Sequence, residues 1–307
     1  MQAFDTQIDE ADGWRAGPLR APAQMLADQK YDGHKSIHDD SMAGDLGFNA
    51  GPIEGPTHFS QFDPLAVEAF GMDWFRTGCI SCHFRAMVVE GERVRAFLKK
   101  EAEDFALIRM EKEDGTEVLK GTASLAGADR PSALRERIQT VTPPEPKIIL
   151  RDVEVGMTLP RQTATMGPDE HMGDLYPFTL NEKLGKITEP SPLYRTSAEF
   201  GGPVIPMEMI SVLAHHLPKG FPVRGPVVGL FADLEIALHD GPLIAGEPFE
   251  IEREVIALSG SRKTESAWIE SRIYRPGAAD PAATVLLNSA SLKGSFDGYE
   301  EEAVEAA

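Results

Sequence analysis

Cysteine is scarce in this chain. Its 307 residues include two, Cys79 and Cys82, in the run CISC. A lone Cys-x-x-Cys suggests a redox pair or half of a zinc site, but the second half of such a site is missing. The surrounding GCISCHFRAMVV is rich in β-formers. Strand residues three apart point to opposite faces, which is poor geometry for a disulfide. Plain strand cysteines in a reducing cytoplasm are the expectation. Positive charge is scarce too: 30 Lys and Arg stand against 49 Asp and Glu, a formal net charge of −19. So acidic a chain repels phosphate backbones and anionic membrane surfaces, which argues against nucleic acid or membrane as partner. A phosphate-bearing ligand would need local basic residues to overcome that field. Long apolar runs are missing: none reaches the roughly 18 residues of a membrane-crossing helix. The opening MQAFDTQIDEADGWRAG lacks the basic and then apolar regions of a secretory signal. What remains is ordinary globular material, 42% hydrophobic and 26% charged, enough for a sizeable core in two domains of about 100–200 residues.

The chain repeats one programme. Gly55-Pro56 precedes the helix-like THFSQFDPLAVEAF, and Gly202-Pro203 precedes VIPMEMISVLAHHL. Phe62, Leu65, Ala66 and Ala69 recur at helical spacings, as do Met207, Ile210, Leu213 and Leu217. After the first helix come GCISCHFRAMVV, Gly91-Glu92, RVRAFLKKE, DFALIRMEK, a turn at Asp114-Gly115, and TEVLKGTASLAG. After the second come VVGLFADLEIAL, Gly246-Glu247, PFEIEREVIALSG, KTESAWIESRIYR and ATVLLNSASLKG. Alternation in RVRAFL and FEIEREVIAL reads as antiparallel strands with one covered face. One central helix wrapped by an antiparallel sheet, occurring twice, describes a tandem hotdog fold of the α+β class. The proline-dense Pro143–Lys147 is the natural linker, which puts one hotdog at residues 1–145 and the other at 146–307. The central helices are expected to begin near Gly55 and Gly202, and the acidic tail EEEAVEAA to be frayed and solvated.

The segment YDGHKSIHDDSMAGDLGFNAGPIEGPTHFSQ, from Tyr31 to Gln61, resembles the signature region of MaoC-like dehydratases, the R-specific enoyl-CoA hydratases. Asp32, Asp39, Gly47-Phe48, Pro52-Ile53 and Gly55 fall at that family's separations. CISCHFRAMVVEGERVRA resembles its strand with a Pro-Val and Gly-Asp pattern. The likeness spans residues 30–98 and is only loose in the second copy. This chain departs from the pattern in three places. His38 stands one residue beyond the family's His position, so a loop bulge must bring it back. His34-Lys35 replaces an Asn-Pro pair, and Glu54 replaces the His at the helix start.

The resemblance implies reversible addition of water to an enoyl thioester borne by CoA or an acyl carrier, with no organic cofactor and no metal. That chemistry requires a base for the water, an acid for the α-carbon, and donors for the oxygen that becomes enolate-like. Asp32 and His38 are the candidates for proton handling, with His34 a rival proton carrier or ligand contact. Gly55 stands where a helix start aims N–H groups at a developing anion. Pro56 has no N–H, so Thr57 and His58 are the next residues expected to face substrate.

The second copy has no matching Asp-to-His pair, and its expected part is to shape the acyl tunnel. Glu208 is either a thioesterase-type carboxylate or, by default, a helix carboxylate facing solvent. His215-His216 suit the negative end of the helix dipole. Tyr194 and Arg195 stand close enough in sequence to the helix start to approach a ligand. Arg85, Arg93, Arg95, Lys99 and Lys100 are the sources of positive charge for CoA phosphates, and alternation puts Lys100 on the opposite face from Arg93, Arg95 and Lys99. The rivals to a hydratase are a hotdog acyl-CoA thioesterase and a non-catalytic acyl-thioester binder. A homodimer of double hotdogs stays open.

Overall fold

The computed structural model describes residues 2–31, 34–45, 47, 50–217 and 220–305, with backbone only at Tyr31, His34, Lys35 and Asp45. Two short strands, β1 (Asp9–Ala11) and β2 (Trp14–Ala16), lead to a small hairpin of β3 (Lys30–Tyr31) and β4 (His34–Lys35). The first half then supplies β5 (Gly78–Phe84), β6 (Val94–Ala102), β7 (Phe105–Lys112) and β8 (Glu117–Leu125). The second supplies β9 (Thr158–Thr165), β10 (Gly229–Leu238), β11 (Pro248–Gly260), β12 (Thr264–Tyr274) and β13 (Ala283–Leu292). Eleven of these strands form one sheet in the order β1-β2-β6-β7-β8-β5-β10-β13-β12-β11-β9. The seam is the antiparallel pair β5–β10, with Ser81 opposite Glu235. The alternation read in the sequence sets the faces: Val94, Ala96 and Leu98 are buried, while Arg95, Phe97 and Lys99 are half-buried. Cys79 and Cys82 are free thiols on β5, as expected.

The first central helix opens as a 3-10 helix, Gly55–Phe62, and continues as an α-helix, Asp63–Phe70. Pro56 suits a first turn. Pro64 has no N–H to donate back along the helix, and the change of helix type falls beside it. Residues 56–66 are buried because this part of the helix lies between its own sheet and the second central helix, Met207–His215. Phe59, Phe62 and Leu65 share one core with Met209, Ile210 and Leu213, and burying each such side chain contributes about 1.5–3 kcal/mol. The two hotdogs therefore have a common interior.

The second helix starts at Met207 rather than near Gly202. Val204 forms a bridge to Ile244, as Pro52 does to Val89. Ile205 N donates to Leu243 O at 2.9 Å, as Ile53 N does to Val88 O at 2.7 Å. Ile205 thus corresponds to Ile53 and Met207 to Gly55, and Gly202-Pro203 falls on Ala50-Gly51, ahead of the helix. Pro206, just ahead of the helix, disfavours helical backbone at Ile205. The tail also differs from expectation. Tyr299–Glu305 is a helix, held by the Tyr299 hydroxyl donating to Glu265 at 2.9 Å and by Arg224 donating to Glu302 at 2.7 Å.

Two further expectations are corrected in the second central helix. Glu208 is buried against the first helix instead of facing solvent, because both helices are enclosed by the sheet. His215 carries no charge for the helix dipole: burial first, then the Arg253 guanidinium, pushes it down to about 4. Tyr194 and Arg195 turn to protein partners, the Tyr194 hydroxyl donating to Asp63 at 2.8 Å and Arg195 donating to Asn181.

Candidate functional site

A cavity of about 330 Å³ opens at the start of the first central helix. Its walls are apolar, with Leu26, Ile37, Ile53, Phe84 and Val88 from the first half and Phe231 from the second. Its polar lining includes His38, Glu54, His58 and Tyr176. Residues 146 and beyond contribute Tyr176, 228–232, Thr264 and Ala290, so the second hotdog supplies a wall of this site. An apolar pocket with a few convergent polar groups is the usual form of a small-molecule site.

Two glycines give the site its shape. A Cβ on Gly51 would stand 2.2 Å from the carbonyl oxygen of His38, so only glycine lets the 36–38 loop lie against residues 51–52. That approach lets His38 Nδ1 reach the carbonyl oxygen of Pro52 at 2.6 Å. A carbonyl only accepts, so Nδ1 carries the proton and Nε2 keeps its lone pair. His38 N donates to Ser36 Oγ at 3.1 Å, which holds the loop from its other side. Burial pushes the His38 pKa down and favours the neutral base. At Gly55 a Cβ would stand 2.6 Å from the Phe84 ring. Its N–H, in the first turn, has no intrahelical acceptor.

Glu54 immediately precedes this turn. Burial raises its carboxyl to about 7, against the opposing pull of Lys183; Glu208 adds to the rise, and a hydrogen bond from Tyr176 opposes it. Its Oε1 has no hydrogen-bond partner. At neutral pH such a group is present both as acid and as carboxylate. His58 is the reverse case. Burial, with the fields of Lys183 and Lys112, takes it down to about 3, so it is a neutral imidazole with an unpartnered Nδ1.

Beneath these residues lies buried charge from the second half. Lys183 Nζ donates to Thr57 Oγ1 at 2.8 Å and stands 3.6 Å from Glu208 Oε1. Asp63, one turn on, accepts from Trp74 and Tyr194 at 2.8 Å each, and burial raises it to about 7.

Of the residues picked from sequence, His38, Gly55 and His58 come together at the cavity. Thr57 turns inward to Lys183. Asp32 lies outside the described residues, and His34 is described only as backbone, paired with Tyr31 in the small hairpin. The basic strip is taken up by carboxylates. Arg85 pairs with Glu117, Arg93 with Glu113, Arg95 with Asp9, Lys99 with Glu101 and Lys100 with Glu103. Only Arg85 of these reaches the cavity. Sequence reasoning passed over Glu54, noted merely as a departure from the family pattern, and Tyr176, whose distance along the chain concealed it. Among the described residues, no group of three or more His, Cys, Asp or Glu is placed to hold a metal ion. No described helix is long and apolar enough to cross a membrane.

No protein-family model matches the chain, and no curated protein matches it in sequence. Solved structures do match in shape. A protein described as a MaoC-domain dehydratase from Chloroflexus aurantiacus is 14% identical, with a TM-score of 0.52 and 95% of each chain covered. A conserved hypothetical protein from Mycobacterium tuberculosis, described as having a double hotdog fold, is 11% identical, with a TM-score of 0.52 over 84% of this chain and 88% of its own. A protein described as an oleoyl thioesterase from Lactobacillus plantarum is 10% identical, with a TM-score of 0.41 over 91% and 95%. The chain thus has the double hotdog fold, which it shares with a MaoC-type dehydratase.

Proposed function

We propose that this chain is a hydratase/dehydratase of MaoC type, adding water to, or removing it from, an enoyl thioester of CoA or an acyl carrier. The observation that carries the reading is His38 at the cavity, its Nδ1 committed to the Pro52 carbonyl and its Nε2 left as a base. In the hydration direction, Nε2 takes a proton from water as the oxygen attacks the β-carbon. The α-carbon must then receive a proton. Glu54, poised near 7 on the same cavity, serves as that acid and reverses its role in dehydration. The Gly55 N–H faces the oxygen that gains negative charge. Asp32 is the proposed partner of His38, and His58 offers a neutral hydrogen-bonding edge. The apolar walls take the acyl chain. We place the boundary between the catalytic hotdog and its supporting copy near residue 145.

Crotonyl-CoA tests this directly when enoyl absorbance and thiol release are followed side by side. Loss of absorbance without thiol is the expected result. Thiol release would make the protein a thioesterase, and neither signal would leave a binder.

A further inference from the structure

The cavity at His38 lies on the concave side of the sheet, where Phe84 and Ala232 point. Their neighbours His83 and Asp233 line a second groove, of about 370 Å³, and alternation puts it on the convex side. It is bounded by Trp14 and by the short helix Ala133–Arg137.

Register aligns four polar residues across this face. Asp233 is opposite His83, His83 opposite Lys120, and Lys120 opposite Arg109. Neighbouring strands are about 4.8 Å apart, so three basic side chains stand together on a chain of net charge −19. Like charges placed directly opposite one another destabilise a sheet, and an anion between them would relieve that repulsion.

Both ends of the row are held in place. His83 Nδ1 donates to Asp233 Oδ1 at 2.8 Å, and Asn288 Nδ2 donates to Asp233 Oδ2 at 2.7 Å. Arg137 Nε is 3.4 Å from the same carboxylate, which is fully buried. With Nδ1 donating, His83 Nε2 keeps its lone pair and can accept a hydrogen bond from a protonated phosphate oxygen. At the other end the Arg109 guanidinium sits between the Trp14 and Phe97 rings, 4.5 and 4.8 Å from their centroids, with Glu111 at 3.3 Å. Glu117, the other carboxylate in the groove, is bound to Arg85 at 3.1 Å. Lys120, in the middle, is exposed and has no ion pair among the described residues.

We propose that this convex groove is a second binding site, for a phosphate-class oxyanion held by Lys120, Arg109, Arg137 and His83. A free small molecule and the carrier end of a thioester both present this phosphate chemistry, and the experiment separates them.

The test is calorimetric titration of the full chain with sodium pyrophosphate, repeated at high salt, and then with CoA. Saturable pyrophosphate binding that weakens with salt is expected. Lys120→Glu should weaken it about tenfold or more, while Lys120→Arg keeps it. Lys186→Glu, an exposed change of equal charge, should leave it intact. Circular dichroism confirms folding of each variant. No saturable binding by the wild type, or equal losses in Lys120→Glu and Lys186→Glu, would overturn the proposal. If Lys120→Glu also weakens CoA, the phosphate belongs to the carrier; if CoA binding is unchanged, it belongs to a free molecule. Turnover plays no part in this readout, so it stands or falls apart from the hydratase reading.

Discussion

Glu54→Gln keeps the outline of a side chain and removes its ability to ionise. Burial lifts Glu54 from 4.5 to about 7. The unfolded chain gives up this proton near 4.5, whereas the folded chain holds it to about 7. Between those values the unfolded state binds fewer protons, so stability falls as pH rises. At about 1.36 kcal/mol per pH unit, the shift amounts to about 3 kcal/mol. That stability is fully present below pH 4.5 and is lost once pH has passed through 7. Glutamine has no such titration. The variant should exceed the wild type by about 1 kcal/mol at pH 5 and by about 3 kcal/mol at pH 8.5. Asp63, also raised to about 7, is present in both proteins and cancels in the difference. Urea denaturation of the two proteins side by side at both pH values measures it. Turnover of crotonyl-CoA should meanwhile fall by about 10²–10⁴, the range for a lost general acid or base. A stability difference that is the same at pH 5 and pH 8.5 would refute the reasoning, since it would mean that Glu54 titrates alike in both states.

His38→Ala and Asp32→Asn should each lower turnover by about 10²–10⁴ with circular dichroism unchanged, and the double variant should be little worse than either. His34→Ala should stay near wild type in the same assay. Gly55→Ala should cost about 1–3 kcal/mol through the clash with Phe84 and lower turnover; Phe84→Leu in the same chain should recover melting temperature if the clash is the cause. Lys183→Met should destabilise by about 3–5 kcal/mol by stranding the buried Glu208, whereas Lys183→Met with Glu208→Leu should return close to wild type in chemical denaturation.

Local signals carried the architecture. Alternation in RVRAFL and FEIEREVIAL placed strands that became β6 and β11, and the recurring Gly-Glu turns fall at Gly91 and Gly246, both with positive φ. The helix starts were read less well. Gly55-Pro56 and Gly202-Pro203 are alike as letters, but the bridges Pro52–Val89 and Val204–Ile244 define the true correspondence, and long-range pairing leaves no local mark. At the site, His38 and Gly55 were found through the family resemblance, His38 despite its one-residue displacement. The burial that tunes Glu54 was not, because Tyr176, Lys183 and Glu208 reach it from the other half of the chain. Exposure was misjudged for the same reason at Glu208, which is buried against the first central helix, distant in sequence.

The seam between β5 and β10 has a consequence for how the molecule can vary. In a pair of identical subunits each substitution occurs twice, at symmetry-related positions, so a residue that serves one site must be tolerated at the other. Here the two edges belong to a single chain, and a change in one half has no mirror image. Met207 can fill the position where Gly55 leaves room, and Val228 to Ala232 can line a cavity whose titratable residues they do not have to supply. Covalent linkage releases the halves from symmetry, and each can specialise without its twin.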